Sequence, residues 1–458
     1  MDYFSITNLI ISVLYGIMGL LTIHFVFFAV VGLFKKRKFP KAEKKLRYGV
    51  IIPARNEEAV VCNLIESVYK NRYPQDKLQV FVIAHNCTDR TAEVARKTGA
   101  TVYEYNNPDE CTMGYAFRYL FGQIEKDYGV KSFDGFFLFN ADNVLEENYF
   151  EKMNDAFVAC DGKSVITSFR NSKNFGSNII SSMYGLYFSY GCRFESCGRS
   201  ALGCSTRVQG TGYVINSDIV KDGWKYVTLT EDWEFTVDQI LGDTPIVYCD
   251  DAMFYDEQPM SLKIMWRQRL RWSRGHLLVC TVRLKDIFKK IVKPVKRGGC
   301  RHKFSAFDIF VNIMPVCVIT VAITVLKHIF YLLSPLFGKS LGEVYGHHLV
   351  NFGKTFLFSY IVMIFASVIL FILERKRFPK IKMSIKILSV LLWPIFLLVS
   401  VPAEVVALFC RNLGWKPIPH TDTTCMEHLS KGHHKTDKVV AVRKIKIAEE
   451  IEENKKAV

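Results

Sequence analysis

Residues 135–143 read Gly-Phe-Phe-Leu-Phe-Asn-Ala-Asp-Asn, an apolar run that stops on a carboxylate held between two asparagines. A run of this length bounded by polar turn residues reads as a strand buried on both faces. Similar runs precede it at Tyr48–Ile52, closed by Pro53, at Val80–Ala84 and at Ala100–Tyr103. Between them the pattern has the helical period. One helix is predicted over Glu57–Lys70, one after Thr88-Asp89, which suit its N-terminus, and one over Glu110–Asp127. Strands alternating with helices of about 10–15 residues predict βαβ units and a mostly parallel sheet. The α/β domain is expected over residues 48–260.

Such sheets bind ligands at the carboxyl ends of their strands. The residues there are Pro53, Ala54, Arg55, Asn56 and Glu57 after the first strand, His85-Asn86-Cys87-Thr88-Asp89 after the second, and Asn140-Ala141-Asp142-Asn143 after the fourth. Turn chemistry explains Thr88 and Asp89 equally well. Asp142 directly after an apolar strand suits a divalent cation, Mg²⁺ or Mn²⁺, that carries phosphate oxygens. Further on come Gly210-Thr211-Gly212, Leu229-Thr230-Glu231-Asp232 and Gln268-Arg269-Leu270-Arg271-Trp272. Helical spacing puts Gln268, Arg271 and Trp272 on one face. An amide, a guanidinium and an indole there suit a diphosphate and a sugar ring. An amphipathic interfacial helix is the competing reading, and Leu277–Val292 continues in that style.

Half of the 458 residues are hydrophobic and 14% aromatic, which excludes a disordered chain. Leu9–Phe34 contain no charged residue, and as a helix they reach ~39 Å, enough to cross a ~30 Å hydrocarbon layer. Lys35-Lys36-Arg37-Lys38 follow, whereas residues 1–34 carry no Lys or Arg, so the positive-inside rule places the next domain in the cytoplasm. Three more apolar runs are Ile309–Leu326, Thr355–Leu373 and Ile387–Ala403, the last broken by Pro394 and Pro402 and running on to Cys410. If all three cross, the basic tail ends outside, against the same rule. The Pro-broken Ile387–Cys410 stretch is therefore expected to be re-entrant or interfacial. The net charge of +16 gathers at these membrane edges, which suits anionic head groups and not a nucleic acid. The 13 cysteines form no Cys-x-x-Cys pair and read as reduced packing residues. Cys425, His428, His433 and His434 lack the spacing of a zinc finger.

Taken in order, Asn-Ala-Asp, Thr-Glu-Asp and Gln-x-x-Arg-Trp between membrane helices resemble the membrane-embedded family 2 glycosyltransferases, the group of cellulose, chitin, hyaluronan and poly-N-acetylglucosamine synthases. The resemblance covers roughly Tyr48–Gly275. It implies a GT-A fold, Rossmann-like, and an inverting transfer from a nucleotide-sugar, most often a UDP-sugar such as UDP-N-acetylglucosamine. By resemblance Pro53–Glu57 and His85 line the nucleobase and ribose pocket, Asn140 and Asp142 hold the metal-bound diphosphate, and Asp232 beside Glu231 is the general base. Gln268, Arg271 and Trp272 would contact diphosphate and acceptor, and Gly210, Thr211 and Gly212 the acceptor side. His85 and Asn140 depart from the family, which usually has Asp at both positions. Trp415–His420 resembles the segment that follows the last membrane helix in related synthases.

The chain is therefore expected to divide into a membrane helix (1–34), a basic linker (35–47), the catalytic domain (48–260), the Gln-x-x-Arg-Trp helix with its interfacial segment (261–303), about three membrane segments (304–410) and a polar tail (411–458). The function expected is polysaccharide synthesis at the plasma membrane, multi-pass, with the catalytic domain cytoplasmic. Expected partners are the donor, a polysaccharide or lipid-linked acceptor, the bilayer, and an accessory membrane subunit or a second copy of the chain. Two alternatives stay open. One is a non-processive transferase acting on a lipid; the other is a degenerate, non-catalytic subunit, suggested by His85 and Asn140.

Overall fold

The computed structural model describes residues 3–293, 300–410, 413, 418, 420–426 and 429. Helix α1 (Tyr3–Phe34) leads through the basic linker into an eight-stranded sheet. Its first half alternates β1 (Tyr48–Ala54), α2 (Val61–Tyr69), β2 (Leu78–His85), α3 (Thr91–Lys97), β3 (Thr101–Tyr105), α4 (Met113–Asp127) and β4 (Gly135–Leu138). These four strands are parallel, in the order β3-β2-β1-β4. The second half adds β5 (Val144–Leu145), α5 (Tyr149–Val158), β6 (Val165–Ser172), α6 (Ile179–Tyr190), α7 (Cys197–Ala201), β7 (Tyr213–Asn216), α8 (Glu231–Leu241) and β8 (Ile246–Asp256). Here β7 runs antiparallel to both β4 and β6, and β5 antiparallel to β8, which makes the sheet mixed.

Strands β1 and β4 are apolar on both faces because both faces are covered. Val50, Ile52 and Phe137 pack with Leu64, Ile65 and Val68 of α2 on one side. Ile51, Phe136 and Leu138 pack with Phe117, Leu120 and Phe121 of α4 on the other. The helix expected from Glu57 starts only at Val61, because the preceding backbone is committed elsewhere. Asn56 takes a left-handed φ of 59°, and the Glu57 N–H donates to Thr91 Oγ1 at 2.8 Å. Helix α4 likewise starts at Met113 and not at Glu110.

After the sheet come α9 (Leu262–Val292), α10 (Cys300–Ile313), α11 (Val316–Leu332), α12 (Leu341–Leu373), α13 (Met383–Leu398) and α14 (Ser400–Phe409). Three stretches are long and apolar enough to cross a membrane: α1, α12 and the run Met383–Phe409. A fourth is reached if α10 and α11 form one span, bent by 58°. The run expected to be interrupted at Pro394 and Pro402 divides into α13 and α14 at Val399, and the 58° bend lies separately, at Pro315. Proline removes an N–H and pushes the residue before it out of the α region, so α10 stops at Ile313 and Met314 lies outside it. Pro402 falls in the first turn of α14, where a missing N–H costs little. Of the tail, Trp415–Pro417 and Pro419 lie outside the described residues, as do His428, His433 and His434.

Candidate active site

The strand ends carry an acidic cluster. Asp142, just past β4, is 3% exposed; its Oδ2 accepts the Glu257 N–H at 2.8 Å and its Oδ1 faces Asn143 Nδ2 at 3.3 Å. Lys173 Nζ donates to the Asp142 carbonyl at 3.0 Å. Asp256, at the end of β8, is buried and takes Arg170 Nε at 2.7 Å and Gln258 Nε2 at 2.6 Å. Burial raises the Asp256 carboxyl, Arg170 lowers it and Asp142 raises it again, leaving it at about 6. Among the described residues no three His, Cys, Asp or Glu side chains surround a cation position.

The loops after β1 and β2 are laced together. Asn56 Oδ1 accepts the Thr88 N–H at 2.8 Å, and Asp89 Oδ2 accepts that of Glu58 at 3.2 Å. Thr88 and Asp89 thus act in loop geometry, as their turn chemistry suggests. Arg55 Nη1 donates to the Cys111 carbonyl at 3.4 Å. Pro53 and Ala54 end β1 in register with Ile83 and Ala84. His85 closes β2 with Nε2 2.7 Å from the Glu110 carbonyl and its ring 5.5 Å from Tyr105. Burial lowers its pKa, so the imidazole is neutral and offers one donor and one acceptor.

Asn140 and the glycine pair connect this cluster to a second one. The Asn140 N–H donates to Thr211 Oγ1 at 2.9 Å, and Thr211 in turn bonds Asn143. Gly212, at φ 69°, donates to the Leu138 carbonyl, and a Cβ there would lie 2.0 Å from the Phe254 ring. Gly210, at φ 77°, faces Asp232: a Cβ would sit 3.5 Å from its Oδ2. Asp232 and Glu231 occupy the first turn of α8, where backbone N–H groups favour negative charge. Burial raises both carboxyls, and repulsion from Asp232 brings Glu231 to about 8. Glu231 therefore holds its proton at neutral pH. Asp232 keeps partial solvent access while Glu231 is buried.

Arg271 from α9 faces both acids and is anchored by Nη1 on the Leu229 carbonyl at 2.9 Å. Gly275 permits this approach, since a Cβ there would meet Thr230 Oγ1 at 2.3 Å. Trp272 packs among Tyr184, Tyr187 and Phe188 with centroids 6.3–6.5 Å away. Gln268 Oε1 is buried without a hydrogen-bond partner among the described residues. Arg271 thus joins the acids, and Trp272 joins an aromatic cluster that also encloses Arg269.

Several groups here went unread in the sequence. Asp256 had a usable signal: it ends an apolar strand as Asp142 does. Arg170 and Lys173 had none, because only the pairing of β6 with β8 brings them to the acids. His420 comes from the tail. Its Nδ1 lies 2.8 Å from Glu57 Oε1, while the Thr421 and Asp422 N–H groups donate to the Glu257 carboxylate at 3.1 and 2.9 Å. Burial opposes its charge, but Asp142, Glu57 and Glu257 outweigh burial and push it up to about 9.

This arrangement has relatives. A mannosyltransferase of Pyrobaculum calidifontis, PcManGT, is similar in fold with a TM-score of 0.55, at 11% identity, over 87% of this chain and 99% of that one. Both share the GT-A fold. "Probable glycosyltransferase YdaM" of Bacillus subtilis (strain 168) is 24% identical over 270 residues, 56% of this chain and 62% of that protein, so the match spans less than two thirds of that relative. The "Low-salt glycan biosynthesis hexosyltransferase Agl6" of Haloferax volcanii is 37% identical over 82 residues, 17% of this chain and 18% of that one. The family described as "Glycosyltransferase like family 2" matches residues 46–275. With half its length matched to that family, the chain belongs to the family 2-like glycosyltransferases.

Proposed function

We propose that the chain transfers a sugar, with inversion, from a UDP-sugar to a growing polysaccharide at the plasma membrane. The observation that carries this reading is the Glu231–Asp232 pair at the head of α8, with Arg271 on one side and Gly210 on the other. Asp232 takes the proton of the acceptor hydroxyl, and the freed oxygen attacks the anomeric carbon from the face opposite the diphosphate. The bond from that carbon to the diphosphate oxygen breaks, and its electron pair leaves with the nucleotide. Glu231 stays protonated and adds no second charge beside the base. Gln268 and Arg271 serve the diphosphate, Trp272 the acceptor sugar, and the 53–57 loop with His85 the nucleoside.

A divalent cation fits Asp142. Each carboxylate oxygen that accepts one N–H keeps a second lone pair, and the neighbouring Asp256 adds like-charge pressure that a cation relieves. When bound, Mg²⁺ or Mn²⁺ neutralises the leaving diphosphate. PcManGT is described in complex with GDP-Man and Mn²⁺, which supports a nucleotide-sugar and a cation of this type. Incubating the membrane-embedded chain with a panel of UDP-sugars, UDP-N-acetylglucosamine first, and measuring UDP release tests the proposal. Release with none of them would overturn it. A second reading, one or a few additions to a lipid acceptor, is favoured by the small number of candidate spans, three or four, as channel material. Thin-layer analysis separates short lipid-extractable products from polymer.

Contacts between chain segments and the sheet support one membrane arrangement. Arg377, just past α12, binds Asp250 of β8, and Tyr3 at the start of α1 stacks on Phe337 after α11. The catalytic side thus holds the end of α1, the start of α10 and the end of α12. The stretch Met383–Phe409 has both flanks on that side: Ile381 lies against Gly176, and His420 bonds Glu57. A crossing helix would separate its flanks. We therefore read α1, α10–α11 and α12 as the spans, and Met383–Phe409 as lying at the cytoplasmic surface against α6 and α9.

A further inference from the structure

A cavity of about 610 Å³ lies away from the acidic clusters, lined by Phe34, Lys35, Lys36 and Arg37 from the exit of α1, by Ser200–Gly203 after α7, and by Arg301 at the start of α10. Among the described residues its lining holds four cations and no acid. Lys36 is partly neutralised by Asp250 at 2.6 Å. Lys35, Arg37 and Arg301 have no carboxylate partner among the described residues; Arg37 instead lies over the Phe39 ring, 5.2 Å from its centroid. The loop is shaped to hold Arg301 close. Gly203 has φ 71°, and a Cβ there would come within 2.9 Å of Arg301 Nη1.

Both basic walls stand where apolar helices meet polar chain. Phe34, 82% exposed, ends a helix without Lys or Arg, and Arg301 precedes the apolar part of α10. From this juxtaposition we infer that the cavity binds the phosphate head group of an anionic phospholipid, with Phe34 at the acyl boundary and Lys35, Arg37 and Arg301 around the phosphate. The inference rests on reading α1 and α10–α11 as membrane spans. It differs from general attraction between a basic segment and an anionic surface, because it assigns the binding to some cations of the run and not to others. Lys38 is in the same run but pairs with Asp251 at 2.7 Å and does not line the cavity.

The test purifies the full chain from membranes of phosphatidylglycerol and phosphatidylcholine and counts retained lipid by native mass spectrometry. Each Lys or Arg near an anionic surface contributes about fivefold in affinity. Lys35→Gln with Arg301→Gln should therefore lower phosphatidylglycerol retention by about 25-fold. Lys38→Gln should leave it unchanged, and phosphatidylcholine should not respond. Equal losses from Lys38→Gln would overturn the site in favour of diffuse attraction. Inorganic phosphate binding as tightly as the lipid, and lost with the same pair of substitutions, would overturn the lipid assignment. Alkaline extraction that releases the chain from membranes would overturn the membrane reading and this site with it. Undiminished retention in a chain that resists extraction would overturn the site alone.

Discussion

Glu231 and Asp232 stand side by side at a helix N-terminus, and burial makes two charges there expensive. The proton resting on Glu231 spares Asp232 a second charge beside it. Its carboxyl is nevertheless raised by burial and lowered by the Trp233 N–H and Arg271. The sign of the pH dependence follows. As pH falls, Asp232 takes a proton and transfer stops, at a pH above the ordinary aspartate range. Arg271→Gln removes a lowering influence, so the acid limb of kcat/KM should move to higher pH, along with a drop in rate. A limb that stays fixed or moves to lower pH would contradict the pairing. At this scale the sequence was informative where one segment carries its own chemistry, as at Asp142, Asp232 and Arg271. It was silent on Arg170, Lys173 and His420, whose roles exist only once distant segments meet.

Among the elements, the contact between α8 and α9 sets the distance from Arg271 to the acids. Gly275 is in the α9 interior, where glycine is unfavourable, and Thr230 fills the place of its missing side chain. Gly275→Ala should cost about 1–3 kcal/mol through overpacking and lower kcat more than donor affinity. Thr230→Ala in the same chain should restore part of both, measured by thermal unfolding and by turnover. No recovery would mean that the two helices are not held at this point. The alternating strands were legible because period and length distinguish them from helices. The ends of α2 and α4 were not, since loop partners from other strands claim the residues in front of them. The bend at Pro315 went unread, because the apolar run Ile309–Leu326 continues through it without a change of composition.

Across the whole molecule, one buried ion network ties the sheet to the membrane elements. Asp250 binds Arg377 after α12 and Lys36 after α1, with Glu374 beside them. Burial alone would raise the Asp250 carboxyl; Arg377 and Lys36 hold it well below the usual range. Its contribution is present above the unfolded pKa and is lost as pH falls through the folded one. Asp250→Asn, which leaves Arg377 with Glu374 at 3.1 Å as its remaining buried carboxylate, should cost about 1–3 kcal/mol and flatten the acid loss of stability in denaturant titrations. The fold class was legible from the pattern of elements. The proposed side of the tail rests on the contact of His420 with Glu57. Cys425 should accordingly resist a membrane-impermeant thiol reagent applied from outside intact cells, and labelling there would contradict the arrangement.

The most direct test of the catalytic account is UDP release by Asp232→Asn beside the unaltered chain, with donor affinity measured in parallel. The account predicts a rate lower by about 10²–10⁴-fold with donor binding preserved, the loss expected when a general base is removed. Turnover equal to that of the unaltered chain would contradict it.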